Sequence, residues 1–335
     1  MTSKSELMNS MAGGVCDLKE RAPWWGGDLQ TLRKHFLSAQ LPLPGRSLVR
    51  IFPRSDGSGD QLTGTVEQPQ DHEKSPLILL IHGLTGCEDS TYVRESGRFH
   101  LVRRRSVLRL NLRGAGSSGQ LARGYYNAGC ASDLQDVLDG LDPEETANGV
   151  FAIGFSLGGN ILLNLLGRSN LMHGLIGAAT VSAPIEQLEA CRRIMAPRNA
   201  VYQRFLLRRM KSDVLSSATL SHQERQHVER ATSVYEFDDR FVAPRNGFFD
   251  ARDYYEKTAG ARHVRAIEVP TLMLHACNDP WIPVSSYRNL RPQSLGSVEL
   301  IISRSGGHVG FHERGYGETW HDRKIDGFLH RLLTT

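Results

Sequence analysis

The residue with the clearest chemical signature is Ser156, in the run Gly154-Phe155-Ser156-Leu157-Gly158. The pattern G-x-S-x-G is short enough to occur by chance, so its flanks decide what it means. Residues 150–153 lead in as an apolar strand, and Leu157–Leu166 leads out with apolar residues at helical spacing. A serine at such a strand–turn–helix junction is lifted clear of the sheet, with its hydroxyl at the positive end of a helix. The two glycines relieve the clashes that larger side chains would cause in so tight a turn. The plain alternative is a capping serine at an ordinary turn. The chemistry on offer is nucleophilic attack on an acyl carbon.

A serine hydroxyl at neutral pH needs a base within hydrogen-bond reach. Thirteen histidines leave that choice to position. His308 lies in Gly306-Gly307-His308-Val309-Gly310, after the last expected strand, where glycines let a loop fold back over the sheet edge. His275 ends a strand and reads as a packed histidine, while His312 and His321 fall in the tail. His308 and His312 are four apart, but two glycines precede His308 and the glutamate of a zinc-binding helix is missing, so no metal is expected. The acid is Asp279, in Asn278-Asp279-Pro280-Trp281-Ile282-Pro283. It follows a strand, on the side where open α/β sheets bind ligands. There it would accept the Nδ1 proton of His308 and stabilise the imidazolium. An Asp before Pro is otherwise a turn residue. The order Ser156, Asp279, His308 favours the catalytic reading.

An oxyanion would need backbone donors. The run His82-Gly83-Leu84 follows the buried stretch Leu77–Ile81, and Gly83 permits close backbone approach. The expected donors are the N–H groups of Leu84 and Leu157. A second glycine pattern competes for attention. Residues 114–119 read Gly-Ala-Gly-Ser-Ser-Gly after a strand, the dinucleotide fingerprint. No helix opening follows it, and Asp133, Asp136 and Asp139 lie in a helical pattern and not at a strand end. A glycine-rich loop beside the site is the better account, and no cofactor is expected.

These residues must be held by a sheet. Residues 47–52 and 62–67 alternate as two strands around a turn. Leu77–Ile81 and residues 107–112, 150–153, 175–182, 269–275 and 298–302 are continuous apolar runs, the mark of strands buried on both faces. Ala128, Ala131, Leu134, Val137, Leu138 and Leu141 recur at helical spacing. The class is α/β, with a mostly parallel, doubly wound sheet. Residues 183–264 are too long for a bare loop and read as a helical cap or lid insertion. Residues 1–45 read as an irregular arm anchored by Trp24 and Trp25, and residues 1–335 as a single domain.

The chain has 335 residues, a formal charge of +4 and 23% charged residues. That mild basicity, without a recognisable module, argues against nucleic-acid binding. Five scattered cysteines without a C-x-x-C pair fit a reducing compartment. With no apolar leader and no membrane-length apolar run, a cytoplasmic location is expected. Between Leu188 and Arg230, nine Lys and Arg face four Asp and Glu, with apolar residues at spacings that allow one helical face. Peripheral contact with a membrane through this basic cap is therefore a further expectation.

At this point the chain resembles the AB-hydrolase 4 family, the YheT-like esterases with plant embryogenesis-associated and animal ABHD relatives. The resemblance runs through the Trp24-Trp25-Gly26-Gly27-Asp28-Leu29-Gln30-Thr31-Leu32 run, His82–Gly86, Asn111–Gly114, residues 154–159, Glu236–Asp239 with Ala243-Pro244, Asp279-Pro280 and residues 307–311. It implies the α/β-hydrolase fold and hydrolysis of carboxylic esters, on short- to medium-chain acyl esters or monoacylglycerols, with Ser156, Asp279 and His308 as the triad. Asn278 departs from the family pattern, where a second acidic residue is common. Two other readings share the sequence. An acyltransferase would use the same triad with an alcohol or thiol as acceptor. A non-catalytic binding protein would retain the fold alone, which the intact motifs argue against.

Overall fold

The computed structural model describes residues 15–36, 42–69, 75–168, 174–216, 219–290 and 295–334. Parts of the expected arm, residues 1–14 and 37–41, lie outside the described residues. Among the described residues nine strands form one sheet. In chain order they are β1 (Val15–Cys16), β2 (Arg46–Pro53), β3 (Gln61–Gln68), β4 (Leu77–Ile81), β5 (Val107–Asn111), β6 (Val150–Phe155), β7 (Leu175–Val181), β8 (Thr271–Ala276) and β9 (Val298–Ser303). Their spatial order is β1-β9-β8-β7-β6-β4-β5-β3-β2. β2 and β3 are antiparallel to their neighbours and the other pairings are parallel.

Every residue of β4, β5, β6 and β8 is buried, as their apolar runs require. Side chains alternate between the faces. Leu77, Leu79 and Ile81 pack into one core with helices α3 (Ala131–Asp139) and α4 (Leu157–Leu166), while Ile78 and Leu80 pack into a second core. That second core is closed by α2 (Thr91–Leu101) and α9 (Trp320–Thr334). The sheet is thus doubly wound. Strand ends differ from the sequence-based expectation by a residue or two. β8 starts at Thr271 and not at 269, because Pro270 has no N–H to extend the ladder. β7 stops at Val181, since Ser182 turns to φ 54°.

The arm is less irregular than expected. Residues 15–16 pair in parallel with β9, and Gly26–Phe36 form helix α1. Gly26 and Gly27 at its start hide the helix from a propensity reading. Tertiary contacts, described below, supply what propensity does not. Trp24 packs near Phe36 with ring centroids 6.2 Å apart, but Trp25 is 61% exposed and so is not the anchor it was read to be.

Between β7 and β8 lie α5 (Gln187–Met195), α6 (Ala200–Leu215), α7 (His222–Arg230) and α8 (Ala251–Thr258). Buried amides stitch this segment to α4. The Nδ2 groups of Asn160 and Asn164 and the Nε2 of Gln187 all donate to the Thr258 carbonyl, at 2.8–2.9 Å. The run Glu236–Asp239 leads into a π-helical turn over Asp238–Val242, packed against α7 and α8.

Candidate active site

Strand β6 ends directly in Ser156, whose backbone sits at φ 49° and ψ −122°. A non-glycine residue there is strained and must be held by its surroundings. Its N–H donates to the Val181 carbonyl at 2.8 Å, fixing it to the neighbouring strand. Close packing explains the flanking glycines. A Cβ on Gly154 would fall 2.6 Å from the Gly159 Cα, and one on Gly158 would fall 2.3 Å from the His82 carbonyl oxygen. The hydroxyl is therefore held at the mouth of α4, beside its N–H groups.

His308 follows β9 on a glycine loop. Its Nε2 is 2.9 Å from the Ser156 Oγ and its Nδ1 is 2.9 Å from Asp279 Oδ2. Sequence positions spread over 152 residues thus converge into one hydrogen-bonded row. Asp279 is buried, and its Oδ1 accepts from the N–H groups of Trp281 at 2.8 Å and Ile282 at 3.0 Å. Burial by itself would raise this carboxyl, but the His308 imidazole facing it, helped by His275 and the Ile282 N–H, holds it below the usual carboxylate range. The Trp281 ring lies 4.4 Å from the His308 ring and limits its tilt.

The other histidines near the site or in the tail point elsewhere. His275 is buried flat against Tyr287, ring centroids 4.1 Å apart, and burial pushes it down to about 4. His312 faces Arg33, with Nδ1 3.3 Å from Nη1, and His321 sits between Phe155 and Phe311. His82 is buried with its Nδ1 2.7 Å from the Gly83 carbonyl oxygen, while its Nε2 accepts from the Leu112 N–H at 3.1 Å. Burial lowers it to about 4, so it is a neutral strut beneath the Gly83 loop.

That loop offers the second donor. Two tyrosine hydroxyls accept from its N–H groups, Tyr92 from Gly83 at 2.8 Å and Tyr126 from Thr85 at 2.7 Å. Leu84, between them, lines the same cavity as Ser156, Leu157 and His308. A Cβ on Gly83 would come within 2.9 Å of the Ser156 Cβ, so the loop approaches the serine as closely as a glycine allows. Leu84 and Leu157 thus stand on the two segments that flank Ser156. Asn111 braces the loop from behind, accepting from Glu88 N–H and donating to Thr63, Ser117 and the Glu88 carboxylate. The dinucleotide-like run proves to be part of this wall. Gly116–Gln120 forms a short 3-10 turn, and Gly114, Ala115, Gly116 and Gly119 line the cavity.

The cavity holds about 820 Å³. Its apolar side comes from Leu84 and Leu157 and from Ile194, Leu206, Val214 and Phe241 of the segment between β7 and β8. Arg123, Arg209 and Arg245 also line it. A row of hydroxyl, imidazole and carboxylate below an apolar chamber can transfer an acyl group from an ester oxygen. Asn278 stands out in the sequence only as a departure from the family pattern, and Tyr92 and Tyr126 do not stand out at all. Nothing in their spacing marks them, since each acts through folded contacts.

A sheet of this topology with this site defines an α/β hydrolase of the esterase and lipase type. A family model described as the alpha/beta hydrolase family matches residues 78–319, and the chain belongs to that family. YheT of Escherichia coli (strain K12), named as a candidate esterase, is 32% identical over 256 residues, 73% of this chain and 73% of that protein. Human phospholipase ABHD3 is 26% identical over 325 residues, 92% of this chain and 77% of that protein. These bear out the resemblance to YheT-like and ABHD-type hydrolases. Among solved structures, an esterase of Pyrococcus furiosus aligns with a TM-score of 0.58 over 95% of this chain and 99% of that chain, at 15% identity, a likeness of fold.

Proposed function

We propose that the chain is a serine hydrolase that cleaves carboxylic esters through an acyl-enzyme. The observation that carries this reading is His308, within 2.9 Å of both Ser156 Oγ and Asp279 Oδ2. Ser156 Oγ attacks the ester carbonyl carbon and passes its proton to His308 Nε2. Asp279 keeps Nδ1 protonated and stabilises the imidazolium. The Leu84 and Leu157 N–H groups receive the oxyanion. Collapse breaks the ester bond, and His308 returns the proton to the departing alcohol. Water then attacks the acyl carbon, gives its proton to His308, and the acid leaves with Ser156 restored.

The volume and apolar lining of the chamber suit a short- to medium-chain acyl group, including that of a monoacylglycerol, with residues 183–264 as its lid. A p-nitrophenyl ester series from acetate to palmitate tests this. We expect kcat/KM to peak at short to medium chains and fall at palmitate; turnover of none of the series would contradict it. Adding glycerol to the assay separates hydrolysis from acyl transfer. The account expects free acid as the main product, whereas a glyceryl ester as the main product would make the chain an acyltransferase.

The five cysteines are free thiols, which supports a cytoplasmic setting, and no helix among the described residues is long and apolar enough to cross a membrane. A surface contact with lipid is supported by α6. Its outward side presents Val201, 80% exposed, and Phe205 among exposed Arg204 and Arg208, beside the cavity that Phe205 and Arg209 line. Each basic residue near an anionic surface contributes about 1 kcal/mol, screened by salt. Flotation with phosphatidylglycerol vesicles at low salt should carry the protein upward, and high salt or phosphatidylcholine should not. Equal absence from both vesicles at low salt would remove the lipid contact and leave the ester reading intact.

A further inference from the structure

We propose that the N-terminal arm belongs to the catalytic machinery, with Thr31 and Gln30 of α1 as positioning residues that fix the His308 loop. The inference rests on the triad reading above. The loop cannot hold its shape alone. Gly306 and Gly307 lie at φ 153° and 60°, and two non-glycine residues, Val309 and Phe311, lie at 57° and 52°. Non-glycine residues in that region cost about 1–3 kcal/mol each and persist only where neighbours over-determine them.

The arm supplies those neighbours. The His308 N–H donates to Thr31 Oγ1 at 2.8 Å, and the Thr31 hydroxyl donates in turn to the Gly27 carbonyl at 2.7 Å. The threonine proton is thus committed to its own helix, which leaves a lone pair aimed at His308. From the preceding residue, the Gln30 amide grips the His312 backbone from both sides. Its Oε1 accepts from His312 N–H at 2.7 Å and its Nε2 donates to the His312 carbonyl at 3.1 Å. Both side chains are buried, Gln30 fully.

Backbone meets backbone at the same seam. A Cβ on Gly307 would fall 2.4 Å from the Gly27 carbonyl oxygen, and one on Gly310 would fall 2.5 Å from that of Gln30. A third tie runs through Asn278, which accepts from Gly307 N–H at 3.0 Å and donates to Glu20 Oε1 at 3.3 Å. This gives the departure at Asn278 a role, because a carboxylate there could not donate to Glu20.

The other two members of the triad do not depend on the arm in this way. Ser156 is fixed by β7 and α4, and Asp279 by the Trp281 and Ile282 N–H groups. Of the three, His308 is the one whose own backbone N–H is held by a side chain of α1. Proton transfer between groups 2.9 Å apart tolerates little displacement. Thr31 also lines the cavity, but its hydroxyl is committed to Gly27 and His308, so the arm acts on the rate through the imidazole.

The test is Thr31→Val, which keeps the shape and removes the acceptor, with Thr31→Ser as rescue. On p-nitrophenyl butyrate we expect Thr31→Val to lower kcat at least tenfold with KM within about twofold, and Thr31→Ser to restore most of it. Urea unfolding reports whether the loss follows folding. The decisive arm is a double-mutant cycle on the fluorophosphonate labelling rate of Ser156. In a His308→Ala background, Thr31→Val should change nothing further. If Thr31→Val does not fold, Gln30→Met is read in the same way. A wild-type kcat in the variant that folds, or an equal loss with and without His308, overturns the positioning role. If His308→Ala alone keeps the wild-type rate, the triad reading fails and the positioning role falls with it; a dead His308→Ala beside a normal Thr31→Val sinks only the latter.

Discussion

Ser156, the proposed nucleophile, sits on a strained turn: its φ of 49° is held because glycines at 154, 158 and 83 leave room around it. In the proposed mechanism the three side chains in the row have unequal tasks, and their substitutions should show it. His308→Ala should cost kcat about as much as Ser156→Ala, since the groups act as a unit. Asp279→Asn should retain more residual rate, because the imidazole can still take a proton while poorly oriented. Steady-state kinetics on one soluble ester check both, and a His308→Ala enzyme near wild type with an inactive His275→Ala enzyme would move the base to His275. That Ser156, Asp279 and His308 meet in one row was legible in the sequence because each lies beside a backbone signal, a glycine pair or a strand end. Thr31 and Tyr126 were not, because a hydroxyl that meets a loop 277 or 41 residues away leaves no local pattern.

Among the elements, the buried strands were the easiest to read, since continuous apolar runs are rare outside a parallel sheet. Helices without a clean apolar stripe were missed. α2 carries Gly97 in its middle, and α1 begins with two glycines. The segment between β7 and β8 showed its length but not its internal chemistry. In it, Asp238 is buried in the π-helical turn and hydrogen-bonded to the Tyr255 hydroxyl at 2.5 Å, with Cys191 beside them. Burial raises the Asp238 carboxyl to about 7, the Asp239 carboxylate adds to the rise, and Tyr255 opposes it. A raised carboxyl contributes stability that is full below its unfolded value near 4 and is lost as pH rises through about 7. Asp238→Asn should remove that dependence. The difference in Tm between wild type and variant should therefore shift in favour of the variant from pH 5 to pH 8, and a difference that is flat across that range would contradict the burial assigned here.

For the whole molecule, one sheet with two cores does the work of bringing distant sequence together. The cores are continuous across β4, β6, β7 and β8, so the site inherits its rigidity from them. Phe151, fully buried on β6 against Phe328 of α9, tests this coupling. Phe151→Ala should destabilise the fold by about 3–5 kcal/mol. Urea unfolding should still be a single transition, with the esterase activity of the remaining folded fraction close to normal. Two separate transitions would show that the site and the sheet unfold independently.

The central claim, an acyl-enzyme on Ser156, has a direct measurement: intact and peptide mass spectrometry of the protein labelled with a fluorophosphonate, or quenched during turnover of p-nitrophenyl butyrate. The account predicts one adduct per chain, on the peptide that contains Ser156, absent in Ser156→Ala and slow to form in His308→Ala. An adduct on another residue, or full ester turnover by Ser156→Ala, would contradict it.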